Sequence, residues 1–501
     1  MFNILQVSND KSFPMNKLIN LIYSQSSQNW NQRCTEAFNE IYDSVAGRYP
    51  EKAKKEAKLR APDFSGEGGV PFAALIHPAN PDSGPYGGMC FVIFPVETGP
   101  CLVAMGIGTQ GLSPDEEILG RPGHSRKVKA ICNWINNRCG HGDMVAWAKQ
   151  DPVRTDIDVP KNIVKLFENY GSVFNRYGKV LYGIFRPTDD REATQELVKA
   201  FLDLMFDERG ISVRSGSKED YEEIRSSYFN HLFPVIAERD VVKLLKTRKF
   251  VIIEGPPGTG KTRMATEILK NHYGNNGESI QFHPNTTYEN FVGGLFPEKN
   301  ENTLGFQFTP KKGDLMEAVH KARQNDRDYL LHIDEINRAD LSKVLGEAIY
   351  LFEPKAEVPR KVKLAYDFGD PIHDHLTIPE NLHILGTMNT ADRSIAIVDV
   401  AVRRRFAFVQ LWPQAQVVEE NGCDIMKDAF TRTISIFIEY ANEDAFNLVP
   451  GHSYFLEQDP DNAARTLKFE LTPLLQEYLA QGYVASFADA IRGHLQWIES
   501  L

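Results

Sequence analysis

Gly255, Gly258 and Gly260 run into Lys261 and Thr262 in the stretch FVIIEGPPGTGKT, which satisfies the spacing G-x-x-x-x-G-K-[ST]. These residue types at this spacing bind phosphate. The glycines let the backbone curl so that successive N–H groups point inward at phosphate oxygens. Pro256, Pro257 and Thr259 complete the loop between them. The start of the following helix adds its partial positive charge. Lys261 is placed to reach the terminal phosphates, and the Thr262 hydroxyl is a ligand for Mg²⁺. An apolar strand before the loop and a helical pattern after it supply the required context.

Phosphate chemistry also needs a carboxylate on the metal side and an acid to handle water. YLLHIDEINR supplies both, as Asp334 and Glu335 at the end of an apolar run about 70 residues downstream. Asp334 is expected to hold Mg²⁺ through water and Glu335 to polarise the attacking water. A third apolar run, LHILGTMN, ends at Asn389. A neutral amide there hydrogen-bonds both the lytic water and the γ-phosphate without adding negative charge.

The elements that must position these groups follow from the pattern. From about residue 216, short apolar runs alternate with amphipathic stretches, as in KFVIIEG, RMATEILKNHY, SIQFHP, GDLMEAVHKARQ and DYLLHIDE. Strands alternating with helices predict a parallel sheet with helices on both faces, whose strand ends point the acids at the ligand crevice. After LWP the strand signals stop and the last 85 or so residues read as helical, a lid.

The phosphate loop, acidic pair and terminal asparagine, in this order, describe an AAA+ module. In AAA+ assemblies a neighbouring subunit supplies a guanidinium to the transition state, an effect of about 10³–10⁵ in rate. MNTADRSIAIVDVAVRRRF, from Met388 to Phe406, carries three arginines on the expected segment. Arg404 and Arg405 are the candidates, and sequence does not separate them.

That segment closely resembles the McrB family of AAA+ NTPases, the motor subunits of modification-dependent restriction systems. So do IDEINRADLSKVLGEAIYLFE, QFHPNTTYENFVGG and GHSYF, over about residues 240–456. The resemblance implies a hexameric ring that hydrolyses nucleotide with Mg²⁺, GTP in preference to ATP. It implies a McrC-like partner subunit that carries the nuclease. It also implies that Asn389, Thr390, Ala391, Asp392 and Arg393 form the loop through which this partner acts on catalysis. A salt bridge stiffening the turn is the plainer role for Asp392 and Arg393. The competing reading is a MoxR-like, ATP-dependent protein-remodelling chaperone, against which the MNTADRS…RRRF signature weighs.

The first 185 residues mix helical and strand signals and predict a separate α+β domain. GGMCFVIFPVETGPCLVAMGIGTQG reads as two apolar strands around a turn, and CLVAMGIGTQGL is similar to the N-terminal modules of some McrB-like proteins, which bind DNA. The expected organisation is this N-terminal target-recognition domain at 1–185, a linker that enters a helix at 186–215, the P-loop core at 216–411 and the helical lid at 412–501. Residues 1–215 hold 25 Lys+Arg and 25 Asp+Glu, so the net charge of −11 falls on the remainder. DNA contact therefore needs a local patch. Two basic stretches offer one: EKAKKEAKLR (51–60), which a solvated face also explains, and RPGHSRKVK (121–129). APDF at 61–64 lacks the E-x-K that a PD-(D/E)xK nuclease requires.

Six scattered cysteines contain no C-x-x-C, and Cys132, Cys139 and His141 lack a second ligand pair at zinc spacing, so reduced thiols are expected. The start is a poor signal peptide, and no apolar run approaches the ~18–20 residues that cross a bilayer. A cytoplasmic protein with no membrane contact is the expectation.

Overall fold

The computed structural model describes residues 15–24, 28–63, 69–299, 306–324, 326–353, 360–391 and 400–501. The chain forms two compact units, Met1–Leu232 with Ile438–Tyr440, and Phe233–Phe437 with Ala441–Leu501.

The first unit is built on six antiparallel strands: β1 (Lys58–Asp63), β2 (Phe72–Ile76), β3 (Met89–Phe94), β4 (Leu102–Ile107), β5 (Ala146–Ala148) and β6 (Leu181–Phe185). Their order is β1-β2-β3-β4-β6-β5. The two runs flanking ETGP are β3 and β4, paired from Met89 opposite Ile107 to Phe94 opposite Leu102. Both are apolar throughout because both faces of the sheet are covered. Phe91 and Ile93 face a core shared with the helices Pro122–Cys139 and Arg191–Glu208. Cys90, Val92 and Phe94 face a second core on the opposite side, with Phe174 and Ile184. This is the period-two division of a strand between two packed layers.

The segment 186–215 differs from its expected role as a linker. It holds the 18-residue helix Arg191–Glu208, capped by the Asp190 carboxylate, which accepts from the Ala193 N–H at 2.9 Å. Leu197, Phe201 and Met205 are fully buried in the sheet's core. The expected helix at the end of the linker is present, but its middle, apolar at helical spacing, packs into the core of the first unit. The same helix buries Asp203, whose carboxylate takes two hydrogen bonds from the Arg48 guanidinium and a third from the Tyr49 hydroxyl. Burial pushes the Asp203 carboxyl up, and the adjoining guanidinium opposes that shift.

The second unit contains the expected parallel sheet, with order β15-β7-β14-β11-β8. Its strands are β7 (Phe250–Gly255), β8 (Gly277–Gln281), β11 (Tyr329–Asp334), β14 (Leu382–Asn389) and β15 (Ala407–Gln410). Helices cover both faces: Asp314–Arg323 on one, and Glu238–Arg248 with Lys261–Tyr273 on the other. Two antiparallel pairs interrupt this pattern and were not legible from it. They are the hairpin β9 (Gly293–Lys299) with β10 (Phe306–Lys312), and the short ladder β12 (Val362–Lys363) with β13 (His375–Leu376). Beyond β15 the described residues are helical or irregular, including Asp424–Tyr440, Thr472–Ala480 and Ala488–Glu499.

Arg48 and Asp203 are 1% and 4% exposed, so removing Asp203 takes away the buried partner of the Arg48 guanidinium and leaves it paired with Asp220, which is 43% exposed. Asp203→Ala is expected to destabilise the first unit by about 3–5 kcal/mol, read as a fall in the midpoint of urea unfolding.

Candidate nucleotide site

Parallel pairing sets the site. Asn389 lies opposite Gly255 across β14 and β7, and Ile333 lies opposite Gly386 across β11 and β14. The carboxyl ends of three neighbouring strands therefore deliver the phosphate loop, the acidic pair and the asparagine to one edge. There they line a single cavity of about 330 Å³, with Gly258, Lys261, Thr262, Asp334, Glu335 and Asn389 among its walls.

The loop has the backbone its glycines predict. Gly258 and Gly260 adopt φ of +80° and +81°, a region that side chains disfavour. A Cβ on Gly258 would also lie 2.5 Å from the Ser453 hydroxyl oxygen. Thr259 tightens the turn by donating to the Pro256 carbonyl at 2.9 Å. Lys261 is 7% exposed, and its ammonium donates to the carbonyls of Gly255 (3.0 Å) and Pro256 (2.8 Å). It is thus held at the mouth of the loop by groups that a phosphate would replace with stronger, charge-assisted partners.

On the metal side, the Thr262 hydroxyl donates to Asp334 Oδ1 at 3.0 Å, and the Thr387 hydroxyl donates to the same oxygen. A hydroxyl and a carboxylate converging beside a phosphate loop are hard oxygen donors of the kind Mg²⁺ takes, with water and phosphate completing its shell. Beside them, Glu335 sits at φ +52°, left-handed for a residue with a side chain. Its Oε1 accepts from Asn389 Nδ2 at 2.8 Å, and Arg338 Nε lies 3.3 Å from its Oε2.

The helical region following β15 reaches the same loop through the GHSYF stretch. Gly451 N donates to Pro257 O at 2.9 Å, and Ser453 N donates to Gly258 O at 3.0 Å. Burial, with Arg263 nearby, pushes the His452 imidazole down to about 4, so it is neutral at pH 7. Its Nδ1 accepts from Gln414 N at 3.3 Å, which leaves the proton on Nε2, beside Gly260. Thr390 ties the end of β14 to both sides, its N–H donating to Gly255 O at 3.0 Å and its hydroxyl to Asn447 O at 2.8 Å.

The structure thus brings together the loop 255–262, Asp334, Glu335 and Asn389. Asp392 and Arg393 lie outside the described residues. Arg404 and Arg405 line no part of this cavity. They also differ from each other: Arg404 is exposed, whereas Arg405 is 8% exposed and packed under the segment, where burial and then Arg404 lower its guanidinium's affinity for its proton. Thr387, Gly451, Ser453 and Arg338 were missed. Thr387 was findable, because two residues before Asn389 on a strand means the same face.

One basic stretch needs correction. Lys127 is not a surface cation, because it lies on the inner face of the helix Pro122–Cys139 and pairs with Glu208 at 2.9 Å. Lys129 is exposed. The first unit has instead a cavity of about 550 Å³ on the β3–β4 face of its sheet, floored by Cys90, Val92, Phe94 and Gly106. Phe72, Tyr86 and Tyr177 wall it, and Phe94 and Tyr177 lie 5.4 Å apart between ring centroids. Arg60 and Arg176 also line it, and Arg60 Nε is a buried donor with no hydrogen-bond acceptor among the described residues.

Known proteins match the chain in sequence. Residues 250–406 match the AAA domain (dynein-related subfamily). Over 355 residues the chain is 30% identical to the type IV methyl-directed restriction enzyme EcoKMcrB subunit of Escherichia coli (strain K12), covering 64% of this chain and 75% of that protein. Over 196 residues it is 28% identical to the type II restriction enzyme BsuMI component YdiS of Bacillus subtilis (strain 168), covering 32% of this chain and 56% of that one.

The GHSYF contact is backbone on backbone, since a Cβ on Gly451 would lie 2.0 Å from the Gly258 carbonyl carbon. Gly451→Ala must push the phosphate loop out of shape. Nucleotide affinity, measured by titration with a fluorescent nucleotide, is expected to fall at least tenfold, while thermal unfolding of the first unit stays unchanged.

Proposed function

The chain belongs to the McrB family of AAA+ NTPases, and from that premise we propose that it is the motor subunit of a DNA-restriction complex, with GTP as its preferred nucleotide. The observation that carries the reading is the convergence of phosphate loop, acidic pair and terminal asparagine on one cavity.

In this reading the backbone of residues 255–260 and the Lys261 ammonium grip the phosphates, and Thr262 and Asp334 hold Mg²⁺. When bound, the cation neutralises charge building on the phosphate oxygens. Glu335 orients and polarises the attacking water, and Asn389 aligns that water with the γ-phosphate. Arg404 serves the neighbouring subunit, completing its site in a hexameric ring. Its exposure favours it over the buried Arg405. Asp392 belongs to the loop through which a McrC-like nuclease subunit stimulates hydrolysis. The free cysteines suit a cytoplasmic protein.

The first unit is the DNA sensor of this proposal. Its aromatic cavity suits a planar base turned out of the duplex, stacked against Tyr177 and Phe94 and hydrogen-bonded by Arg60. A relative that is methyl-directed by name favours a modified base as the target.

Two measurements test the parts. Mixing an Arg404→Ala chain with a Lys261→Ala chain should restore hydrolysis above that of either alone, because mixed interfaces pair an intact pocket with an intact arginine. Mixed rings no more active than the parents would remove Arg404 from catalysis. Tyr177→Ala should weaken binding to DNA carrying the target base by about 1–3 kcal/mol, the usual worth of base–aromatic stacking. Hydrolysis without DNA should stay unchanged. Unaltered DNA binding would remove the cavity from recognition.

A further inference from the structure

Glu335 is expected to polarise a water lying between its carboxylate and Asn389, yet here the two side chains touch at 2.8 Å. That contact occupies the oxygen and the amide that are expected to meet the water. The other carboxylate oxygen is engaged as well, by Arg338 Nε at 3.3 Å. Arg338 comes from the next turn of chain, the 3-10 helix Ile336–Arg338, and its N–H donates to Glu335 O at 2.8 Å. The short helix therefore fixes both the left-handed backbone of Glu335 and the guanidinium that holds its side chain. The Arg338 side chain is 44% exposed and that of Glu335 is 17% exposed, so the cation is the more accessible of the two.

We propose that Arg338 is a positioning residue that restrains Glu335 in a resting orientation, and that hydrolysis requires this ion pair to yield. The inference rests on the reading of Glu335 as the water-polarising carboxylate. With Arg338 drawn toward an anionic group presented from outside the subunit, the carboxylate is free to part from Asn389 and admit water. With Arg338 in place, water meets one oxygen already hydrogen-bonded to Asn389 and one held in an ion pair without a hydrogen bond among the described residues. Arg338 is not among the residues that line the cavity.

The test is steady-state hydrolysis by the full-length protein with Mg²⁺ and GTP, and no partner subunit. Arg338→Ala should raise kcat about two- to fivefold, the range set by a partly exposed ion pair, with KM unchanged. Arg338→Lys, which keeps the charge, should return kcat toward the wild-type value. A purely structural role would instead lower kcat or raise KM in both variants. An unchanged or lowered kcat in Arg338→Ala overturns the restraint. Adding Glu335→Gln to Arg338→Ala separates this failure from that of the underlying reading. A double variant as active as Arg338→Ala would show that Glu335 is not the base. An inactive double variant alongside a slow Arg338→Ala would leave the base in place and remove only the restraint.

Discussion

The site depends on one ladder. Strands β11, β14 and β7 run parallel and in register, so that Asn389 meets Gly255 and the acidic pair emerges one strand away. Parallel pairing sends all three carboxyl ends to the same edge, where the phosphate loop turns into its helix. A slip of one residue would turn Thr387 and Asn389 to the opposite face and break the hydrogen bonds that fix Asp334 and Glu335. The fully buried side chains of Ile252, Leu331 and Ile384, packed in one core, make that slip costly.

The phosphate loop is held from two sides by hydrogen bonds to its own carbonyls. The Thr390 N–H takes the carbonyl of Gly255, while the Gly451 and Ser453 N–H groups take those of Pro257 and Gly258. These contacts use carbonyls and leave the loop's N–H groups for phosphate, which is the polarity a bound anion needs. They also link the end of β14 and the GHSYF segment to the loop that changes partners when nucleotide enters. Small residues are required at this seam, because side chains at Gly258 or Gly451 would overlap the opposing chain.

What could be read from the sequence was the chemistry held in short, contiguous stretches. The loop 255–262, the Asp334–Glu335 pair and Asn389 each end an apolar run, and order and spacing sufficed to bring them together. The AAA domain match and the similarity to the EcoKMcrB subunit bear out the family read from MNTADRS…RRRF and GHSYF. Features set by long-range packing were hidden. Lys127 reads as one of a basic run, yet helical geometry turns it inward onto Glu208, 81 positions away. The helix Arg191–Glu208 was legible as a helix, but its burial in the core of the first unit was not. The β9–β10 hairpin carries Gly293, Gly294, Pro297 and Pro310, residues that argue for loop when taken alone and are held in strands only by their pairing. The aromatic cavity of the first unit is assembled from β2, β3, β4 and segments around Tyr86 and Tyr177, which no local pattern connects.

The central claim is that Glu335 and Lys261 divide binding from bond cleavage in one cavity. Measuring nucleotide affinity and single-turnover hydrolysis in parallel on Glu335→Gln and Lys261→Ala tests it most directly. The account predicts that Glu335→Gln binds nucleotide about as tightly as the wild type and does not cleave it, whereas Lys261→Ala fails to bind. Near-normal cleavage by Glu335→Gln, or undiminished binding by Lys261→Ala, would contradict it.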